Sequence, residues 1–79
     1  MTRNINEEEL SQVDRIILKT IKESDGQITT YKIAKKANIS WSTANSHCYK
    51  LKSLGLLESA SEIAKSGSGK KRVWQILRQ

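Results

Sequence analysis

The sequence predicts a mostly helical α+β domain, in which three helices are followed by a C-terminal β-hairpin. Apolar residues recur at helical spacing through the first two thirds of the 79 residues, with capping residues where the pattern breaks. The last third contains two β-like runs on either side of a Gly/Ser stretch at 66–69. A chain of this length has room for one core, so residues 1–79 are expected to form a single domain.

The first helix is expected over about 6–24. Asn6 is a good N-cap, and Glu9 stands three residues later, as in a capping box. The helix should end before Gly26, which tolerates a left-handed conformation. Its apolar stripe consists of Leu10, Val13, Ile17 and Ile21.

Ile16 and Leu18 flank this stripe, so the apolar face of the helix is wider than a small packing partner would need to cover. A broad core face is one interpretation, and a subunit contact is the other. Since so short a chain buries little surface, we expect a homodimer.

Two short helices joined by a tight turn are expected over about 30–37 and 41–54. A very short strand at Gln27 and Ile28 precedes them, and Thr29 or Thr30 caps the first of the two. Asn38 stands where a sharp turn needs a residue that tolerates a positive φ. Ser40 then caps the third helix.

The third helix has one apolar and one polar side at 100° per residue. The apolar side contains Trp41, Ala44, Cys48 and Leu51; the polar side contains Ser42, Asn45, Ser46, Tyr49 and Ser53, with Thr43 and Lys50 beside it. No acid occurs from Tyr31 to Leu57, which favours contact with a negatively charged groove.

Other interpretations of these residues remain. Ser42 and Thr43 alternatively complete the helix cap, and Tyr49 alternatively covers the core. For Trp41, half-buried packing is favoured over stacking on a base.

The hairpin strands are expected over about 56–63 and 72–78. The tip between them is rich in Ser and Gly and carries Lys65, Lys70, Lys71 and Arg72, so it is expected to make a second contact with a polyanion. The alternative is a solvated hairpin. Apolar residues on both faces of the final strand suggest that its outer face meets a second subunit.

The net charge of +6 is unevenly distributed, with −2 over residues 1–28 and +8 over residues 29–79. A basic two thirds beside a mildly acidic end indicates a polyanion-binding face. A Lys-rich surface without a partner is the alternative.

Several functional classes are disfavoured. One His and one Cys offer neither a metal site nor a catalytic nucleophile with its base, so we expect no enzyme, no metal and no cofactor. A single Cys excludes an internal disulfide and indicates a reducing compartment, so a cytoplasmic location is expected. No apolar run reaches the ~20 residues of a membrane span, and no effector pocket is readable.

The order of helix, helix–turn–helix, strand, basic loop and strand resembles the winged helix-turn-helix DNA-binding proteins. The resemblance covers 10–77 and is most specific at Ile33-Ala34, Asn38-Ile39-Ser40, Thr43-Ala44 and the run LKSLGLL at 51–57. Asn38 departs mildly from the family, which more often has Gly there. In size and composition the chain is similar to small archaeal, plasmid- or virus-encoded transcription regulators.

The resemblance implies a sequence-specific regulator of transcription that binds double-stranded DNA. Its third helix would enter the major groove, and its basic wing would lie on the backbone or in the minor groove. The implied DNA-binding residues are Lys32, Lys35, Lys36, Ser42, Thr43, Asn45, Ser46, Tyr49, Lys50, Lys65, Lys70, Lys71 and Arg72. An architectural protein without sequence preference and a winged helix used only for protein contact remain the alternatives.

Overall fold

The computed structural model describes residues 10–24, 26–63 and 70–77, which form three helices and a three-stranded antiparallel sheet. The side chains at 61–63 and 70–71 lie outside that description. The elements are α1 (Gln12–Glu23), β1 (Ile28–Thr29), α2 (Thr30–Ala37), α3 (Trp41–Ser53), β2 (Leu57–Ile63) and β3 (Lys70–Ile76). The predicted fold class, three helices followed by a β-hairpin, is confirmed.

Helix α1 begins later than the sequence suggests. Its N-cap is Ser11, whose hydroxyl accepts a hydrogen bond from the Asp14 amide, while the Asp14 carboxylate accepts one from the Ser11 amide. This capping box contradicts a continuous helix from Asn6 to residue 24, because Leu10 and Ser11 are not helical. The expected cap at Asn6 and Glu9 itself lies outside the described residues.

The turn between α2 and α3 follows the local signals. Thr29 caps α2 by accepting from the Lys32 amide at 3.2 Å, and Ser40 caps α3 by accepting from the Thr43 amide at 3.1 Å. Asn38 adopts the left-handed conformation with φ 58° and ψ 48°. The chain therefore reverses within the three residues 38–40 that separate α2 from α3.

The sheet has the order β1-β3-β2, so β3 is its central strand. Trp74 of β3 pairs with Ile28 on one side and with Ser59 on the other. Val73 is only 3% exposed and Trp74 is fully buried. The strand is thus covered on both faces at these two positions, whereas Gln75 and Leu77 farther along the outer face are only partly buried. A subunit contact at this face stays a prediction.

The core lies between the three helices and the sheet. Its largest fully buried apolar side chains, each at most 1% exposed, are Ile17, Ile21, Ile33, Leu51, Leu57 and Trp74. Burying an aliphatic side chain of this size stabilises a fold by about 1.5 to 3 kcal/mol. These contacts fix α3 against α1, α2 and β2, and leave its opposite side to solvent.

Candidate nucleic-acid interface

The outer face of α3, defined as Ser42, Asn45, Ser46, Tyr49 and Ser53, points away from the core as predicted. Ser42, Ser46, Tyr49 and Ser53 are exposed, and Asn45 is partly exposed. The opposite side is fully buried through Ala44, Cys48 and Leu51. The helix therefore presents hydroxyls, one amide and one phenol to the outside.

Thr43 is the member of the predicted set that the helix cap uses. Its hydroxyl accepts a hydrogen bond from the Ser40 hydroxyl at 2.8 Å, while its amide donates to the same Ser40 oxygen. The Thr43 hydroxyl is therefore already occupied in the cap. Ser42, by contrast, is exposed and takes part in no side-chain hydrogen bond within the described residues.

Tyr49 is held in a cluster that joins α3 to the hairpin, and we name Tyr49, Lys52, Arg72 and Trp74 the Tyr49 cluster. The Tyr49 and Trp74 rings meet edge to face, with centroids 5.2 Å apart and planes at 89°. The Arg72 guanidinium lies 5.6 Å from the Tyr49 ring and the Lys52 ammonium 6.0 Å from it. Tyr49 still exposes 41% of its surface, so a positioned aromatic group with two cations faces outward.

The cluster is anchored from below by a buried hydrogen bond. The Trp74 indole Nε1–H donates to the Thr30 hydroxyl at 2.8 Å, and both residues are buried. Trp74 cannot shift without leaving this donor unpaired, so Tyr49 rests on a fixed support. Arg72 also donates to the Ser59 hydroxyl at 3.1 Å, which ties its guanidinium to the adjoining strand.

A buried carboxylate fastens α3 to α1. Asp14 is 0% exposed; its Oδ1 lies 2.6 Å from His47 Nδ1 and its Oδ2 lies 2.5 Å from Lys50 Nζ. Burial by itself raises the pKa of Asp14, but the hydrogen bonds from Lys50, His47 and the Ser11 amide outweigh it and lower the pKa from 3.8 to about 2. The carboxylate is therefore ionised at neutral pH.

This anchor changes the roles of two residues. Lys50, expected at the DNA backbone, has its ammonium on Asp14 and is partly neutralised there, although 42% of its side chain is exposed. His47, expected only at the margin of the apolar side, holds the same carboxylate. The available sequence signal was the S-x-x-D pattern at 11–14, which marks a helix start but does not indicate the two partners on α3.

The lysines of α2 form the exposed flank of the candidate site. Lys32, Lys35 and Lys36 are all exposed. The Lys35 ammonium lies 5.4 Å from the ring of Tyr31, which is itself 60% exposed. Of the hairpin cations, Arg72 is described, whereas Lys65 and the side chains of Lys70 and Lys71 lie outside the described residues and stay predictions.

Trp41 is about half-buried, as the sequence suggests. The helical wheel puts it with the apolar side, yet 54% of its surface is exposed. It is the first residue of α3. Lys52 is exposed and belongs to the Tyr49 cluster, although the sequence analysis does not single it out. Its position three residues after Tyr49 is the sequence feature that indicates this contact.

Cys48 is a buried thiol and not a reactive one. It is fully buried on the inner side of α3, and this burial raises its pKa from 9.0 to about 12. Within the described part of the chain, no three His, Cys, Asp or Glu side chains gather where a metal ion would fit.

A cleft of about 410 Å³ lies where the end of α1 meets the base of the hairpin. Lys22, Glu58 and Gln75 contribute its polar lining. No residue of α3 lines it, so it is separate from the outer face of α3.

The comparisons with known proteins point in one direction. A family model described as winged helix-turn-helix DNA-binding matches residues 10–58. No curated protein sequence matches the chain significantly. Among the described helices, none combines the length and the hydropathy that a bilayer-crossing segment requires.

Three solved structures illustrate the fold. A possible transcriptional regulator from Methanosarcina mazei Go1 superposes with a TM-score of 0.76 at 22% identity, over 89% of this chain and 58% of that one. Stf76 from the Sulfolobus islandicus plasmid-virus pSSVx gives 0.72 at 17% identity, over 91% and 88%. The Zalpha domain of Carassius auratus PKZ, solved in complex with Z-DNA, gives 0.68 at 25% identity, over 82% and 92%. The chain thus spans little more than half of the first of these proteins and nearly all of the other two.

Proposed function

Because the chain belongs to the winged helix-turn-helix DNA-binding proteins, we propose that it regulates transcription by binding a specific duplex sequence with α3 in the major groove. The observation that carries the proposal is the outer face of α3. This face is exposed except for the partly exposed Asn45, and it is rich in hydrogen-bonding groups. The chain has no acidic residue from Tyr31 to Leu57. Through Arg72 the outer face of α3 continues onto the hairpin, so one surface supplies both contacts that such a protein needs.

Each part of this surface has a chemical role in the proposal. The Asn45 amide presents a donor and an acceptor, the pair that recognises the N6 and N7 edge of adenine. Ser42 and Ser46 reach base edges or phosphates, and the Tyr49 hydroxyl reaches the backbone. The contacts to phosphate would come from Lys32, Lys35, Lys36, Arg72 and the hairpin residues Lys65, Lys70 and Lys71.

Selection of bound fragments from a random duplex pool tests the proposal directly. An enriched sequence supports specific readout, whereas uniform recovery of all sequences favours an architectural protein, and no recovery favours a protein-contact domain. Two variants then separate the roles. Asn45→Ala should weaken binding to the selected site and relax its specificity at one base pair, at a cost of about 1 to 3 kcal/mol.

Lys36→Ala should instead weaken binding to all sequences alike and reduce the salt slope by about 1. The wild-type slope of log affinity against log salt should be several units between about 50 and 300 mM. Lys19→Ala, an exposed lysine on α1, is the matched control and should leave the slope unchanged. A flat wild-type salt response would contradict the proposal.

We also propose that two copies bind together as a homodimer. The supporting observation is Ile16 on α1, which exposes 39% of its surface beside the half-buried Val13. A dimer would read a palindromic site, and Ile16→Glu should then convert it to monomers. Sedimentation at micromolar concentration distinguishes dimer from monomer. A wild-type protein that sediments as a monomer would contradict the proposed homodimer.

Left-handed Z-DNA is the second candidate ligand. The specific observation is the likeness to the Zalpha domain of PKZ, in which the two chains are nearly coextensive and 25% identical. Z-DNA presents its base pairs on a convex surface without a deep major groove. A face of small side chains around one fixed aromatic ring, as at Ser42, Asn45 and Tyr49, suits such a surface.

The two candidates are distinguished by the circular dichroism of an alternating CG duplex. Binding of the left-handed form inverts the duplex spectrum as protein is added, whereas B-form binding leaves it essentially unchanged. Tyr49→Ala should abolish the inversion, and Tyr31→Ala, an exposed tyrosine on α2, should not. Absence of inversion for the wild type would exclude the second candidate.

A further inference from the structure

Trp41 is an aromatic side chain, 54% exposed, for which the described part of the chain offers no hydrogen-bond, ring or cation partner. Among the residues that the structure describes, the exposed large apolar side chains are Ile16, Tyr31, Trp41 and Tyr49. Both tyrosines carry a cation over the ring, and Tyr49 also rests on Trp74. Within the described residues, Trp41 makes no hydrogen bond, ring contact or cation–π contact. Its indole is therefore free to meet a ligand.

The position of Trp41 indicates which ligand. It is the first residue of α3, and helical side chains lean toward the helix N-terminus, so the indole extends past the first turn. It lies four residues before Asn45, on an adjacent part of the same outward surface. When a recognition helix enters the major groove, its N-terminal residues approach the base edges.

The chemistry of the indole limits which groups of the DNA it can contact favourably. Trp has one N–H donor, no acceptor, and a large apolar area. Most groups on the major-groove edge are polar; the C5-methyl of thymine is the apolar one. We propose that Trp41 packs on a thymine methyl and selects an A·T pair at the N-terminal end of α3. This inference rests on the proposed binding of α3 in the major groove of B-form DNA.

Deoxyuridine substitution isolates the methyl group. In the duplex selected by the wild-type protein, each thymidine is replaced in turn by deoxyuridine, which keeps the base pair and removes only the methyl. At one position the wild type should lose affinity by about fourfold, the value expected for one buried methyl. Trp41→Ala should bind the thymidine and deoxyuridine duplexes equally, and Trp41→Phe should retain part of the preference.

Two matched measurements complete the test. Tyr31→Ala removes an exposed aromatic of α2 and should keep the full preference for thymidine. In the wild type, acrylamide should quench the Trp41 fluorescence, and DNA should protect it, while the buried Trp74 that remains in Trp41→Phe should be little affected. Circular dichroism confirms that each variant is folded.

The possible outcomes distinguish a failure of the Trp41 inference from a failure of the proposed function. If selection enriches no duplex, the proposed function fails and the thymine contact fails with it. If a duplex is selected and bound but Trp41→Ala keeps the thymidine preference, or no thymidine position is sensitive to methyl removal, only the Trp41 inference is overturned.

Discussion

Replacing Asp14 by Asn should uncouple α3 from α1 and flatten part of the acid response of the domain. The carboxylate accepts hydrogen bonds from His47 and Lys50, the two residues that connect it to α3. Asn keeps the shape and retains an acceptor for the Ser11 amide. It has no charge, however, so the ion pair with Lys50 is lost, and its NH₂ group replaces one of the two oxygens that accept hydrogen bonds in the wild type.

The size of the effect follows from the pKa. The pKa of Asp14 is depressed from 3.8 to about 2, so folding favours the ionised form. The contribution to the free energy of unfolding is about 2 kcal/mol, fully present above pH 4 and lost as the pH falls through about 2. Asp14→Asn should therefore cost about 2 kcal/mol at pH 5 and much less at pH 2.

Urea denaturation followed by circular dichroism between pH 7 and pH 2 measures this difference. Glu23→Gln, at an exposed position of the same helix, is the control and should change stability by less than about 0.5 kcal/mol. Parallel pH profiles for the wild type and Asp14→Asn would refute the reasoning, because the carboxylate would then contribute equally in both protonation states.

Three further outcomes are expected from the same denaturation assay and from thiol labelling. Thr30→Val leaves the buried Trp74 Nε1–H without its acceptor and should cost about 1 to 3 kcal/mol, whereas Ser53→Ala on the exposed side of α3 should be close to neutral. Asn38→Gly should be neutral or stabilising, and Asn38→Val should lose about 1 to 2 kcal/mol, because Asn38 has φ 58°. Cys48, buried with its pKa raised to about 12, should react with iodoacetamide at pH 8 only as fast as the domain opens; labelling at the rate of a free thiol would contradict its burial.

The sequence predicts most of the local structure because each signal acts within a few residues. Thr29, Asn38 and Ser40 stand at the positions that their side chains and backbone preferences require. The start of α1 was missed because the pattern at Asn6 and the pattern at Ser11 both satisfy the same capping rule. Ser11 caps α1, and its partner Asp14 also contacts α3, 33 and 36 residues farther along the chain, which no local rule reveals.

The candidate site could be predicted only in outline for the same reason. A helical wheel gives the direction of Trp41 but not whether another element reaches that end of α3 to cover it. Likewise, the central place of β3 in the sheet was not predictable, because it depends on β1, a strand of only two residues. The sequence places Lys50 at the DNA backbone, because the ion pair with Asp14 joins residues that are distant in sequence and no local pattern reveals it.

The hydrogen-bonded Trp74 beneath Tyr49 has a consequence for redesign of the domain. An engineer who wishes to retarget it can randomise Ser42 and Ser46 freely, since neither contributes to the interior. Tyr49 is different, because each non-aromatic substitution there also removes the edge contact with Trp74 and so trades affinity against folding. A library that varies all outward positions alike would therefore lose many members to misfolding, and one that keeps Tyr49 would retain them.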